Sequence, residues 1–170
     1  ETSFTTDATP EQAWEGWGNP EHIACWFVDS AKGPVETGGK YEWYFKNMDF
    51  SQTININEAV PGKVLELEGH LPGHGSIVNR VEIGKLDGKT HLTFVQTGSF
   101  NTPNWDDDYE GMHSGWIINH MILKHYLDNN FGKKPEKLWA MRPAAIKDYE
   151  KVREHFITQD GLRSWLGDDV

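Results

Sequence analysis

The residues best placed to do chemistry lie in one stretch, 109–129. The apolar spacing there predicts a helix, with Met112, Trp116, Leu123 and Leu127 on one stripe and Ile117, Ile118, Met121 and Ile122 widening it. Asn119 and His120 break the stripe three and four residues beyond Trp116, where a plain core would carry Leu or Ala. A buried amide and imidazole need partners: other side chains, trapped water or a ligand. Two residues in strand-like runs could meet them. Asn79 shares a face with Ile77, Val81 and Ile83, and Gln96 shares one with Leu92 and Phe94. The expectation is an apolar ligand cavity between helix and sheet, with Trp43, Asn79, Gln96, Met112, Trp116, Asn119, His120 and Leu123 as its binding residues. The alternative is that the four polar groups bond one another in a filled core.

Other groups carry weaker signals. His120, with Glu110 or Asn79 nearby, has the chemistry of an acid–base residue, although a structural role is the stronger reading. His22 and Cys25 have the spacing of a metal pair but lack further ligands, and read as packing. His70 and His74 flank Leu71-Pro72-Gly73 and read as solvated loop residues. Asp106-Asp107-Asp108 lacks the spacing of a calcium loop and suits the positive end of the following helix dipole. No catalytic residue, metal site or cofactor is expected.

The elements that must hold the cavity follow from the pattern. Residues 1–6 form a Thr-rich extended piece. Thr9-Pro10-Glu11-Gln12 carries an N-cap, a first-position proline and a capping-box glutamine, predicting a helix over 10–17. Pro20-Glu21 opens a second short helix ending near Trp26-Phe27, and 28–39, rich in glycine, reads as loop. From Lys40 the period is two: Tyr41, Trp43 and Phe45 alternate with Lys40, Glu42 and Tyr44. Further strands are predicted over 53–60, 64–68, 76–83 and 90–100, with tight turns at Pro61-Gly62-Lys63 and Asp87-Gly88. Short connections between consecutive strands make an antiparallel meander. Gly132 supplies a stop after the long helix. The tail, 133–170, reads as a helical extension.

Composition narrows the partners. The 170 residues suit one domain of ordinary size, and a net charge of −10 disfavours nucleic acid and anionic lipid. No apolar stretch reaches the roughly 20 residues of a membrane span. The one cysteine excludes an internal disulfide and suits a reducing, cytoplasmic setting. Eight Trp, five Tyr and eight Phe predict either an aromatic-lined interior or an aromatic interaction face for a protein partner or a second copy.

The order of these motifs resembles the helix-grip fold of the START-like (SRPBCC) superfamily, in its branch of activators of heat-shock-protein ATPase homologues. The resemblance rests on Ala8-Thr9-Pro10-Glu11-Gln12-Ala13-Trp14, on Pro20-Glu21-His22-Ile23-Ala24-Cys25-Trp26-Phe27, on Gly38-Gly39-Lys40-Tyr41, and on Thr97-Gly98-Ser99-Phe100 leading to Gly115-Trp116 and Leu123-Lys124-His125-Tyr126-Leu127. It implies an α+β fold: a curved antiparallel sheet of about six strands around a long C-terminal helix, with two short helices after the first strand. The helix-grip domain would span 1–132. It further implies a pocket for a hydrophobic or amphipathic small molecule, but no activity, since relatives include binding proteins, co-chaperones and a few cyclases or hydrolases. Two alternatives to small-molecule binding therefore stay open: a co-chaperone-like interaction module, and an enzyme using His120. The chain departs from the pattern at His120, usually an aliphatic position, which favours a ligand with a polar end. In the tail, Val152, Phe156, Leu162 and Trp165 echo the opening helices, as a truncated second copy or a simple helical cap would.

Overall fold

A computed structural model describes residues 1–71, 75–98 and 105–135, together with Asp160. The chain divides into two compact units, Glu1–Pro135 and Glu136–Val170. The tail helices and their echo of the opening pair lie outside the described residues, apart from positions 133–135 and 160.

The first unit runs β1 (Thr2–Thr6), α1 (Pro10–Gly18), α2 (Pro20–Trp26), β2 (Ser30–Lys32), β3 (Lys40–Phe45), a 3-10 turn (Lys46–Met48), β4 (Phe50–Val60), β5 (Val64–Leu71), β6 (Gly75–Leu86), β7 (Lys89–Gly98) and α3 (Trp105–Asn129). All sheet pairings are antiparallel, in the order β1-β7-β6-β5-β4-β3-β2. The meander is thus continuous from β2 to β7, and β1 closes the far edge. This is the helix-grip arrangement, with seven strands among the described residues where about six were expected. The extra strand, β2, falls inside the expected loop: three residues pairing with β3 are too few for a period of two to register.

Local chemistry explains the boundaries. Thr9 Oγ1 accepts from the Gln12 N–H and Gln12 Oε1 accepts from the Thr9 N–H, so the capping box starts α1 as expected. Asn19 then ends α1 and caps α2, its Oδ1 accepting from the Glu21 N–H. Asp87 and Gly88, both at positive φ, form the two-residue turn between β6 and β7. Trp105 opens α3 earlier than the periodicity predicted, so positions 106–108 fall in its first turn. Among the described residues, no helix is long and apolar enough to cross a membrane.

One sheet face builds the core. Tyr41 and Trp43, Ile54 and Ile56, Leu65 and Leu67, Val81, Leu92 and Phe94 all point inward, as alternation requires. At the other end of the same layer, Leu123, Tyr126 and Leu127 of α3 meet Trp17, Ile23 and Trp26 of the opening helices. A Cβ at Gly16 would lie 3.2 Å from Leu123 Cδ1, so glycine lets α1 approach α3 closely there. β1 is tied to α3 by Asp128, which accepts from Thr6 Oγ1, from the Asp7 N–H at 3.0 Å and from Lys124 Nζ at 2.6 Å.

Candidate functional site

The sheet and α3 seal tightly around Leu123 but part toward the helix N-terminus. A cavity of about 350 Å³ opens there. Two inward positions on its walls carry no side chain. Gly69 of β5 stands where alternation from Leu65 and Leu67 would place another bulky residue; a Cβ there would lie 2.8 Å from Ile54 Cδ1. Gly115 of α3 faces it from the helix, and a Cβ there would meet nothing within 4 Å. Open space is thus left on the helix side at Gly115, whereas the place over Gly69 is taken by the ends of Gln52 and Ile54.

The walls are aromatic. Phe27 stacks on Trp116 with ring centroids 5.3 Å apart and meets Trp43 edge-on at 5.4 Å, while Phe45 stacks on Phe50. Met48 and Met112 add thioethers. Four carboxamides, from Gln52, Asn79, Gln96 and Asn119, supply the polarity. Asn79 and Gln96 are register partners on β6 and β7, and Gln96 Nε2 donates to Asn79 Oδ1 at 2.8 Å. With that bond made, the Asn79 NH₂ and the Gln96 oxygen keep hydrogen-bonding capacity. Among the described residues, no charged side chain borders the cavity.

The structure thus brings together six of the eight residues singled out in the sequence: Trp43, Asn79, Gln96, Met112, Trp116 and Asn119. The other two lie elsewhere. Leu123 is fully buried one turn too far along α3 and packs at the α1 crossing, not on the cavity wall. His120 is also absent from the described wall. It follows Asn119 by about 100° of helix rotation, which carries its ring to the β1 side. There its Nδ1 lies 2.7 Å from Thr2 Oγ1, and Phe4, Trp17, Phe94 and Trp116 surround it. Burial pushes its pKa down to about 4, so the ring is neutral near pH 7. Glu110 is exposed and Asn79 is paired with Gln96, so neither is the partner the acid–base alternative required.

Phe27, Phe45, Met48, Phe50, Gln52, Gly69 and Gly115 were not among the expected residues. Gly69 and Gly115 carried a usable signal, since glycine inside a strand or helix pattern marks an open or closely approached position. Phe27 stands at the end of α2 and the remainder cluster at β3, β4 and the turn joining them, a tertiary juxtaposition that no single-strand pattern displays.

Elsewhere, His22 Nδ1 lies 2.6 Å from Tyr126 Oη and its ring stacks on Phe131, while Cys25 Sγ donates to the Glu21 carbonyl. His70 is exposed and His74 lies outside the described residues. The aromatic surface patch is not found among the described residues: Trp14, Trp17, Trp26 and Trp43 are buried and Trp116 half-buried. The exposed apolar face is aliphatic instead, with Ile117, Ile118, Met121 and Ile122 on the outer side of α3.

Comparison with known proteins agrees with this architecture. The Aha1 dimer from Colwellia psychrerythraea, 13% identical, has a TM-score of 0.65 over 77% of this chain and 96% of that one. A protein from Mesorhizobium loti, 19% identical, scores 0.64 over 74% of this chain and 93% of its own. CalU16 from Micromonospora echinospora, 16% identical, scores 0.61 over 75% and 74% respectively. At these identities the likeness is one of fold. No curated protein sequence matches the chain. Residues 7–128, however, match the profile of the Activator of Hsp90 ATPase homolog 1-like proteins, from the capping box of α1 to the Asp128 anchor of α3. The chain belongs to that family, a branch of the START-like superfamily.

Proposed function

We propose that the protein binds one small, mainly apolar molecule between the sheet and α3. The observation that carries this reading is the cavity itself: about 350 Å³, ring-walled, with carboxamides as its polar groups. That combination of apolar lining and few convergent polar groups is what small-molecule sites share. Family membership supports it at the coarser level, since the family includes ligand-binding and cyclase-like proteins. The test is titration with the neutral fluorophore N-phenyl-1-naphthylamine. Saturable uptake at one site per chain, with a rising melting temperature, is the expected result. Fluorescence that never saturates, with no thermal shift, overturns the reading.

A second reading concerns the outer face of α3, where Ile118 is 59% and Met121 68% exposed. Four large aliphatic side chains in water on adjacent turns mark an interaction face. The Colwellia relative is described as a dimer, and we infer that a second copy of this chain covers the face. Light scattering at tens of micromolar is expected to give a dimer mass, and Ile118→Glu with Met121→Glu a monomer with unchanged far-UV dichroism. A monomeric wild-type chain overturns this.

A further inference from the structure

The chain carries 16 basic and 26 acidic residues, yet none of them lies between Glu110 and Lys124 of α3. This uncharged segment has two faces. Gly115, Trp116 and Asn119 border the cavity on its inner side, while Ile117, Ile118, Met121 and Ile122 stand in water on its outer side. It is also weakly held. Among the described residues, the buried side chains of α3 are His120, Leu123, Tyr126 and Leu127, so the contacts with α1, α2 and β1 grip its C-terminal half. Toward the N-terminus space opens on both flanks: the cavity of about 350 Å³ toward β3, β4 and β5, and a second of about 240 Å³ against Thr2, Phe94 and Thr97. Met112 and Trp116 border both. Gly111 and Gly115 loosen the same stretch, since glycine disfavours helix and a Cβ at either position meets nothing within 4 Å.

We propose, building on the small-molecule and second-copy readings above, that the two faces are coupled through this arm of α3, so that filling the cavity tightens the pairing of two copies across the outer face. A guest seated against Gly115 and Trp116 needs the turns over 112–119 helical and in place. A second copy seated on Ile117, Ile118 and Met121 needs the same turns. The loss of backbone freedom is common to both events, so whichever comes first leaves less for the other to lose. The coupling is therefore positive. By linkage, pairing strengthens uptake by the same factor as uptake strengthens pairing. The uncharged segment suits an identical partner for a separate reason. A two-fold contact uses the same patch on both copies; on a chain of net charge −10 most such contacts repel, whereas an uncharged aliphatic face is complementary to itself.

Sedimentation velocity on the full chain over a dilution series, with and without saturating N-phenyl-1-naphthylamine, tests the coupling. The probe is expected to lower the dimer dissociation constant about tenfold. The monomeric variant Ile118→Glu with Met121→Glu is expected to take up the probe about tenfold more weakly than the wild-type dimer. Gly111 is exposed and borders neither cavity, so Gly111→Ala stiffens the arm in advance without touching the guest. Uptake and pairing should then each tighten on their own, while the factor that couples them falls below about threefold. A change of less than about twofold in the dissociation constant, a dimer loosened by the probe, or a tenfold factor that survives Gly111→Ala overturns the inference and leaves both readings standing. Absence of saturable uptake overturns the small-molecule reading, and a chain monomeric with and without the probe overturns the second-copy reading; either result takes the inference with it. If the double variant does not fold, the wild-type dissociation constants with and without the probe decide.

Discussion

Replacing Gly115 by leucine should make the protein more stable and unable to take up its ligand. Glycine in the interior of a 25-residue helix costs about 1 kcal/mol relative to a good helix former, and leucine is one. A Cβ at this position meets nothing within 4 Å, so the side chain enters the cavity without displacing backbone or rings. Burying it there contributes about 1.5–3 kcal/mol, offset by about 0.5–1 kcal/mol of lost side-chain freedom. The net gain of about 2 kcal/mol corresponds to a rise in melting temperature of roughly 4–8 °C for a chain of this size. Uptake of a neutral aromatic probe should fall at least tenfold. Gly69→Leu makes the contrast, because its Cβ would lie 2.6 Å from Gln52 Nε2 and 2.8 Å from Ile54 Cδ1, so both side-chain ends must swing aside, Gln52 gives up its bond to the His70 carbonyl, and no comparable gain in stability is expected. A Gly115→Leu protein that is less stable than wild type, or that binds as well, would show that the space between helix and sheet is not available to a guest.

Gly115 also shows where sequence reasoning reached its limit. The helix, its inner stripe and its two polar interruptions are periodic features, visible in one dimension because 3.6 residues make a turn. The capping box, the Asp87-Gly88 turn and the strand alternation are similarly local, so the fold was legible almost throughout. Asn79 and Gln96 could be brought together in advance because strand register follows from a tight hairpin. His120 could not be placed so well. A helix face spans about 100° per residue, and whether a ring turns toward the sheet's open end or toward the edge strand depends on where β1 docks. That docking is a contact between residues 118 apart, Thr2 and His120, and no local pattern announces it. β2 was missed for a different reason: three residues leaning on the edge of β3 owe their conformation to the neighbour rather than to their own sequence.

The relocated His120 has a consequence of its own, a loss of stability in mild acid. Its folded-state pKa of about 4 lies below the ordinary imidazole value of 6.5, so the unfolded chain binds a proton that the native chain refuses. The stabilisation that refusal represents is complete above pH 6.5 and drains away as pH falls from 6.5 toward 4. At 1.36 kcal/mol per pH unit the full interval is worth about 3 kcal/mol, and the aromatic faces of Phe94 and Trp116 return part of it by attracting the imidazolium. A net loss of about 2 kcal/mol is expected from urea denaturation at pH 7 and pH 4.5. Asp128 acts in a separate window. Burial pushes its carboxyl up, but hydrogen bonds from Lys124, Thr6 and the Asp7 N–H outweigh this and hold it below its ordinary value of 3.8. Its contribution is therefore lost only below that pH. His120→Phe preserves a ring among the same aromatic neighbours and leaves half-buried Thr2 able to reach water. In that variant the slope between pH 6.5 and 4.5 should nearly vanish while the steeper fall below pH 4 remains. An unchanged slope would mean that the imidazole is already charged in the folded protein, and that β1 is not held to α3 by a neutral His120.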